Sequence, residues 1–175
     1  MYPTRYSWRL TQWIRQRQEG LAFCLRFSLY TLLAFLLLYA LHDLFVVPFT
    51  RYIALLTYIL LRAVGTKAWV AGSSIGIPGF AVEIKNNCNA IYEIGLYAAA
   101  IFAYPAPIRQ RLAGFLLGAG VLYLVNLLRV ISLLAIGRYW PGGFQPAHVY
   151  VWQALFLAVV AALWLGWVGR VRPVA

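Results

Sequence analysis

Long apolar runs, each broken by one or two polar residues, organise this chain. Residues 21–41 carry no charge except Arg26, residues 89–108 none except Glu93, and residues 112–137 none except Arg129. Residues 148–169 carry no formal charge at all. At about 1.5 Å of rise per residue, each run is long enough, or nearly so, for a hydrocarbon core of about 30 Å. The pattern predicts four transmembrane helices.

The basic residues orient these spans. Arg5, Arg9, Arg15 and Arg17 precede the first, Arg109 and Arg111 join the second to the third, and Arg170 and Arg172 follow the fourth. With both termini cytoplasmic, every basic cluster lies inside, as the loop-charge rule requires. The leader 1–20 is basic, but no small-residue cleavage site follows the first run, so that run is expected to stay as a span. Arg26 can snorkel to the inner surface.

Two segments do not fit a simple span. Residues 52–64 are apolar but short, with Arg51, Arg62 and Lys67 at or near them. A fifth crossing would put the termini on opposite sides, so the expected element is an interfacial or re-entrant helix on the outer side. Residues 69–87 hold Gly72, Gly76, Pro78 and Gly79, and residues 80–85 alternate with period two. They predict a small outer-face β-hairpin leading into Cys88. The expected fold class is therefore an all-α polytopic membrane protein forming one domain, 1–175, with about four transmembrane helices, an interfacial or re-entrant helix and a β-hairpin.

Composition sharpens this picture. Of the 175 residues, 63% are hydrophobic and 11% charged, against about 25% charged in soluble domains. The net charge of +11 sits between apolar runs rather than in a patch interleaved with exposed aromatics, which argues against a nucleic-acid partner. Two cysteines, Cys24 and Cys88, show neither a disulfide framework nor a metal-ligand spacing. One cysteine and two distant histidines make no ligand set, so neither a metal nor another cofactor is expected.

The topology brings three reactive side chains to one level. Cys88 opens the second span and His148 the fourth, while Arg129 lies roughly 25 Å above Leu112 along the third. Asn126 shares the Arg129 face at i and i+3. Cys88, between Asn87 and Asn89, has a helix N-terminus and a cation at hand, the setting of a reactive thiol. Cys24, near the inner end of the first span, reads as a small apolar residue. An arginine inside a span is costly enough to suggest function; alternatively it snorkels. His148 could equally be an interface residue, and His42 has no comparable setting. Glu93 is expected to pair with Arg62, or else with Arg129. A thiol nucleophile, an imidazole acid/base and a fixed cation suit acyl transfer through a thioester.

At these residues the chain resembles the exosortase/archaeosortase family of multi-spanning proteases and transpeptidases. Ile84-Lys-Asn-Asn-Cys88 matches a nucleophile that follows a short strand and opens a span. Asn126-Leu-Leu-Arg129 matches the family's Asn-x-x-Arg, and His148 its histidine opening the last span. Cys88 is followed by Asn-Ala rather than Ser-Gly, and the chain is short; both features resemble the compact exosortase H subgroup, whose substrates carry an IPTLxxWG-type tail. The resemblance implies Cys88 as nucleophile, His148 as acid/base and Arg129 as stabiliser, supported by Asn126. It implies exported proteins with a motif, helix and basic C-terminal tail as partners, cleaved at the outer face of the inner membrane, with the acyl group passed to water or an amine acceptor. A non-enzymatic scaffold or transporter subunit is the other reading, with Arg129, Glu93 and Arg62 as structural ion pairs and Cys88 dispensable. Thiol–disulfide chemistry lacks a partner cysteine on the outer face.

Overall fold

The computed structural model describes residues 5–85 and 88–171, with side chains from residue 17 onward. Asn86, Asn87 and Arg172, and the side chains of Arg5, Arg9 and Arg15, lie outside the described residues. Six helices and a three-stranded sheet follow in order: α1 Arg5–Ala40, α2 Val47–Ala63, β1 Trp69–Ala71, β2 Ser74–Ile77, β3 Phe80–Glu83, α3 Ile91–Ala103, α4 Ile108–Tyr139, α5 Pro141–Pro146 and α6 Trp152–Val168. This is the mostly helical membrane architecture expected from the apolar runs, with the hairpin extended by one strand into a β1-β2-β3 meander.

Two π-helical segments, His42–Val46 and Ala147–Val151, join α1 to α2 and α5 to α6. Each adjoins a proline, Pro48 and Pro146 respectively. A proline has no N–H to donate, so the neighbouring ladder shifts register. The shift shows as Val47 N–H donating to His42 O, and Trp152 N–H to Ala147 O.

Four described stretches are long and apolar enough to cross a membrane: Arg17–Ala40, His42–Ala63, Ile108–Tyr139 and Pro141–Val168. The set differs from the sequence expectation at two places. The helix holding residues 52–63 starts earlier, and the stretch His42–Ala63 reaches spanning length. The second expected span contracts to the 13 residues of α3, about 20 Å of helix. Its limits have local causes. Ala90 takes a left-handed conformation, φ 63°, before it. Tyr104 is extended, ψ 135°, as a residue preceding proline tends to be.

Residues 104–107 link α3 to α4, so those two ends share one level. From there α3 rises about 20 Å while the 32 residues of α4 rise about 48 Å. α4 therefore continues far past the start of α3, and the surplus has its own cover. Phe49 of α2 packs its ring 5.7 Å from Tyr123. Ile53, Ala54 and Leu61 of α2 share a buried cluster with Leu127, Val130 and Leu134 of α4 and with Ile75 and Ile84 beside the sheet. α2 and the sheet thus enclose the second half of α4, and they form a roof above α3.

The first half of the bundle is held by close helix approach. α1 lies along α3, with the Phe35 and Tyr92 rings edge to face at 5.7 Å. Gly114 and Gly118 stand four apart on α4, the small-residue spacing that lets membrane helices touch. A Cβ at Gly118 would strike the ring of Tyr97, and one at Gly114 the indole of Trp167. Tyr97, 2% exposed, also donates from its hydroxyl to Gly114 O at 3.1 Å. Gly118→Val should therefore push α3 off α4, cost about 1–3 kcal/mol as overpacking does, and lower the thermal midpoint of the detergent-solubilised protein. An unchanged midpoint would show that the α3–α4 contact does not govern stability.

Candidate functional site

Cys88 sits in the turn between β3 and α3, at the level where the roof meets the bundle. Its amide donates to Lys85 O at 2.8 Å. The next residue clamps this turn. Fully buried Asn89 donates through Nδ2 to Thr50 Oγ1 at 2.7 Å, and its Oδ1 accepts the Ile91 amide at 3.0 Å. Thr50 in turn donates to Val46 O at 2.8 Å. A buried amide with both ends bonded fixes the backbone on either side, because losing either bond would leave an unsatisfied polar group. The left-handed Ala90 then turns the chain into α3.

His148 lies in the second π-helical segment, where the register shift after Pro146 turns it toward the turn at Cys88. Its ring stacks on Phe144 with centroids 5.8 Å apart and planes 18° apart. Phe144 meets Phe80 of β3 at 5.2 Å, and Phe80 lies against Gly137, where a Cβ would collide with its ring. An aromatic series from the sheet to the imidazole thus sets the His148 orientation. Nε2 of His148 is 2.7 Å from Cys88 Sγ.

Arg129 completes the group. It is 2% exposed, and its Nη2 donates to Cys88 Sγ at 3.9 Å. Among the described residues its Nε and Nη1 have no hydrogen-bond partner. The three residues singled out by spacing, Cys88, Arg129 and His148, are therefore brought together from the β3–α3 turn, α4 and the α5–α6 junction. Asn126 is buried one turn from Arg129, but among the described residues neither of its amide atoms has a hydrogen-bond partner.

Glu93 departs from expectation. Arg62 is exposed on the last turn of α2, whereas Glu93 is buried in the first turn of α3, and among the described residues no ion pair joins Glu93 to Arg62 or Arg129. Its Oε2 has no hydrogen-bond partner among the described residues. Its proximity is felt instead by the thiol. Burial pushes Cys88 above the ordinary thiol range; the Arg129 guanidinium pulls it back, the Glu93 carboxylate pushes it further up, and the Lys85 ammonium lowers it. The thiol at rest is thus held mainly protonated, with an imidazole nitrogen placed to take the proton.

Cys24 is a free, exposed thiol on α1, and His42 contacts Asp43 at 3.0 Å. Among the described residues no three His, Cys, Asp or Glu side chains gather as a metal site. A cavity of about 470 Å³ opens at Cys88 and His148 and is lined further by Phe80 to Lys85, by Val130 and Leu133, and by Phe144, Gln145 and Val149.

Asn89, Phe144 and Glu93 were not singled out as site residues by spacing. Phe144 stands one helical turn before His148, and Glu93 little more than one turn after Cys88, so distance along a helix could have flagged both. Asn89 adjoins the cysteine, but its partner Thr50 is 39 positions away.

Fold and site together define a polytopic helical membrane protein in which a cysteine and a histidine line one cavity and a buried arginine donates to the cysteine sulfur. The family model for transmembrane exosortases, Exosortase_EpsH, matches residues 13–166, and the chain belongs to that family. No curated protein and no solved structure matches it.

The electrostatic account fixes an order of thiol reactivity. In a Cys24→Ala background, the pH midpoint for alkylation of Cys88 should lie above that of an ordinary thiol. Glu93→Gln removes a negative neighbour and should move the midpoint down; Arg129→Met removes a positive one and should move it up. The reverse order in a pH-resolved labelling experiment would rule out these two charges as the controlling neighbours.

Proposed function

We propose that this chain is a membrane-embedded cysteine protease or transpeptidase that cleaves the C-terminal sorting tails of exported proteins at the outer face of the cytoplasmic membrane. The observation that carries the reading is the 2.7 Å approach of Cys88 Sγ to His148 Nε2, with Arg129 Nη2 on the same sulfur. Its membership of the transmembrane exosortase family supports the kind of enzyme.

Cys88 Sγ attacks the scissile carbonyl carbon while its proton passes to His148 Nε2. A C–S bond forms, and the carbonyl electron pair moves onto oxygen. A protonated resting thiol suits this sequence, because an imidazole already at the sulfur makes removal of the proton concerted with attack. Arg129 cannot surrender its proton, so it serves as a fixed positive charge beside the developing oxyanion. Collapse of the intermediate breaks the C–N bond, and His148 returns its proton to the departing amine. Water or an amine acceptor then attacks the thioester, His148 takes the incoming proton, and Cys88 leaves as the thiol.

The substrate has the three-part tail that the family resemblance implies: a short motif, one transmembrane helix and a basic end. The helix would lie in the membrane beside the bundle and bring the motif to the level of Cys88. The active site then faces outward and both termini are cytoplasmic, as the basic loops require. A scaffold role needs structural ion pairs from Glu93, and the absence of an Arg62 or Arg129 pair to it among the described residues counts against that role.

The test is processing of the host's own exported proteins, read by mass spectrometry of their C-terminal tails. Uncut tails should accumulate with Cys88→Ala and not with Cys24→Ala. Processing by Cys88→Ala at the wild-type rate would remove the nucleophile assignment and favour the scaffold.

A further inference from the structure

β3 is an edge strand: it pairs with β2 and with no other strand. The alternation of an antiparallel ladder says which of its backbone groups are spent. Ile84 N–H donates to Ser73 O at 3.0 Å, one step beyond the Ser74–Glu83 pair, so Ile84 stands at a hydrogen-bonded position. Counting back by twos, Val82 and Phe80 exchange their bonds with Ile75 and Ile77. Ala81 and Glu83 therefore turn both N–H and C=O away from β2. Among the described residues no backbone hydrogen bond meets those four groups.

This free edge borders the cavity at Cys88. All six successive residues from Phe80 to Lys85 line it, whereas a cavity over one sheet face would touch alternate residues only. Cys88 and His148 line the same cavity, and Val130 and Leu133 supply apolar wall. Four unpaired backbone groups beside apolar wall suit an occupant that brings its own backbone donors and acceptors.

We propose that the recognition segment of the substrate binds as an added strand on the free edge of β3, exchanging main-chain hydrogen bonds with Ala81 and Glu83 and so delivering its scissile carbonyl to Cys88. This rests on the proposed peptidase reading and deepens it. The occupant is an extended peptide, because only such a chain repeats a donor and an acceptor at the spacing of two residues that Ala81 and Glu83 present. Its alternate side chains face the Val130 and Leu133 wall, where apolar residues are favoured. A folded or helical tail has spent its backbone groups internally and cannot pair here.

Proline separates this from other roles of the strand. At 81 or 83 it removes an N–H that faces the cavity and leaves the β2 ladder intact, the placement that edge strands tolerate. Ala81→Pro and Glu83→Pro should each slow pulse-chase processing of the host's exported proteins by about three- to tenfold, the worth of one net hydrogen bond. Ala81→Gly, which keeps the N–H, should be slowed less than Ala81→Pro. Alkylation of Cys88 in a Cys24→Ala background should match the parent in all three, which shows an intact site. Wild-type processing in either proline variant overturns the proposal, and so does equal slowing in Ala81→Gly. These outcomes leave dependence on Cys88 untouched, so the strand-addition idea can fail while the peptidase reading stands; loss of that reading shows instead as cleavage by Cys88→Ala.

Discussion

A guanidinium buried among helices that face lipid constrains everything near it. Arg129 cannot neutralise itself by losing a proton, and removing it from water costs several kcal/mol by any accounting. A bundle of this size would not keep such a group without compensation, and the usual compensation, a carboxylate at contact distance, is missing among the described residues. What Arg129 has instead is the sulfur of Cys88 and a buried carboxylate on the neighbouring helix, Glu93, whose Oε2 has no hydrogen-bond partner among the described residues. The charge is therefore only partly balanced within the protein. That incomplete balance separates a site from a structural ion pair, which would be closed on itself.

The difference in helix lengths determines where that site lies. α3 is short because a left-handed residue and an X-Pro step bound it, and α4 is long because nothing in its 32 residues interrupts the ladder. Cys88 lies at the level where α3 starts. Above it, α4 needs new partners, and α2 and the sheet supply them. The same geometry explains why a cysteine in a membrane protein can sit in a cavity shared with a β-strand: the strand belongs to the roof, and the roof is needed to cover the surplus of α4. Gly137 makes the join possible by admitting Phe80, from which the aromatic contact runs through Phe144 to His148.

Much of this was legible in the sequence because apolar runs and their charged interruptions follow from lipid as solvent. The long apolar helices α1, α4 and α6 and the common level of Cys88, Arg129 and His148 follow from run length and rise per residue, and the strand before the cysteine from its period-two alternation. The contraction of the second span was not legible. A left-handed alanine is disfavoured locally and persists at Ala90 only because its surroundings hold it. Nor was the reach of the helix that includes residues 52–63, since an apolar stretch with three basic neighbours reads equally as surface or span. The supposed Glu93–Arg62 pair failed because depth along a helix does not give the direction in which a side chain points. Asn89 with Thr50 and Phe144 with Phe80 are tertiary relations between distant positions, and no periodicity encodes them.

In the proposed reaction the partly balanced charge becomes an advantage. Catalysis gains only from contacts that strengthen between the ground state and the transition state. Two Arg129 nitrogens, Nε and Nη1, have no hydrogen-bond partner among the described residues, and burial favours the protonated thiol beside them. Neither condition favours the resting enzyme. Attack on a carbonyl changes both together: the thiol proton moves to an imidazole already in place, and an oxyanion appears near a cation that has donors to spare. A closed Arg129–Glu93 pair would have stabilised the resting state and removed that difference. On this argument the separation of Glu93 from Arg129 matters as much as the approach of His148 to Cys88. The carboxylate lies close enough to add to the effect of burial on the thiol, yet it makes no contact ion pair that would quench the guanidinium the reaction needs.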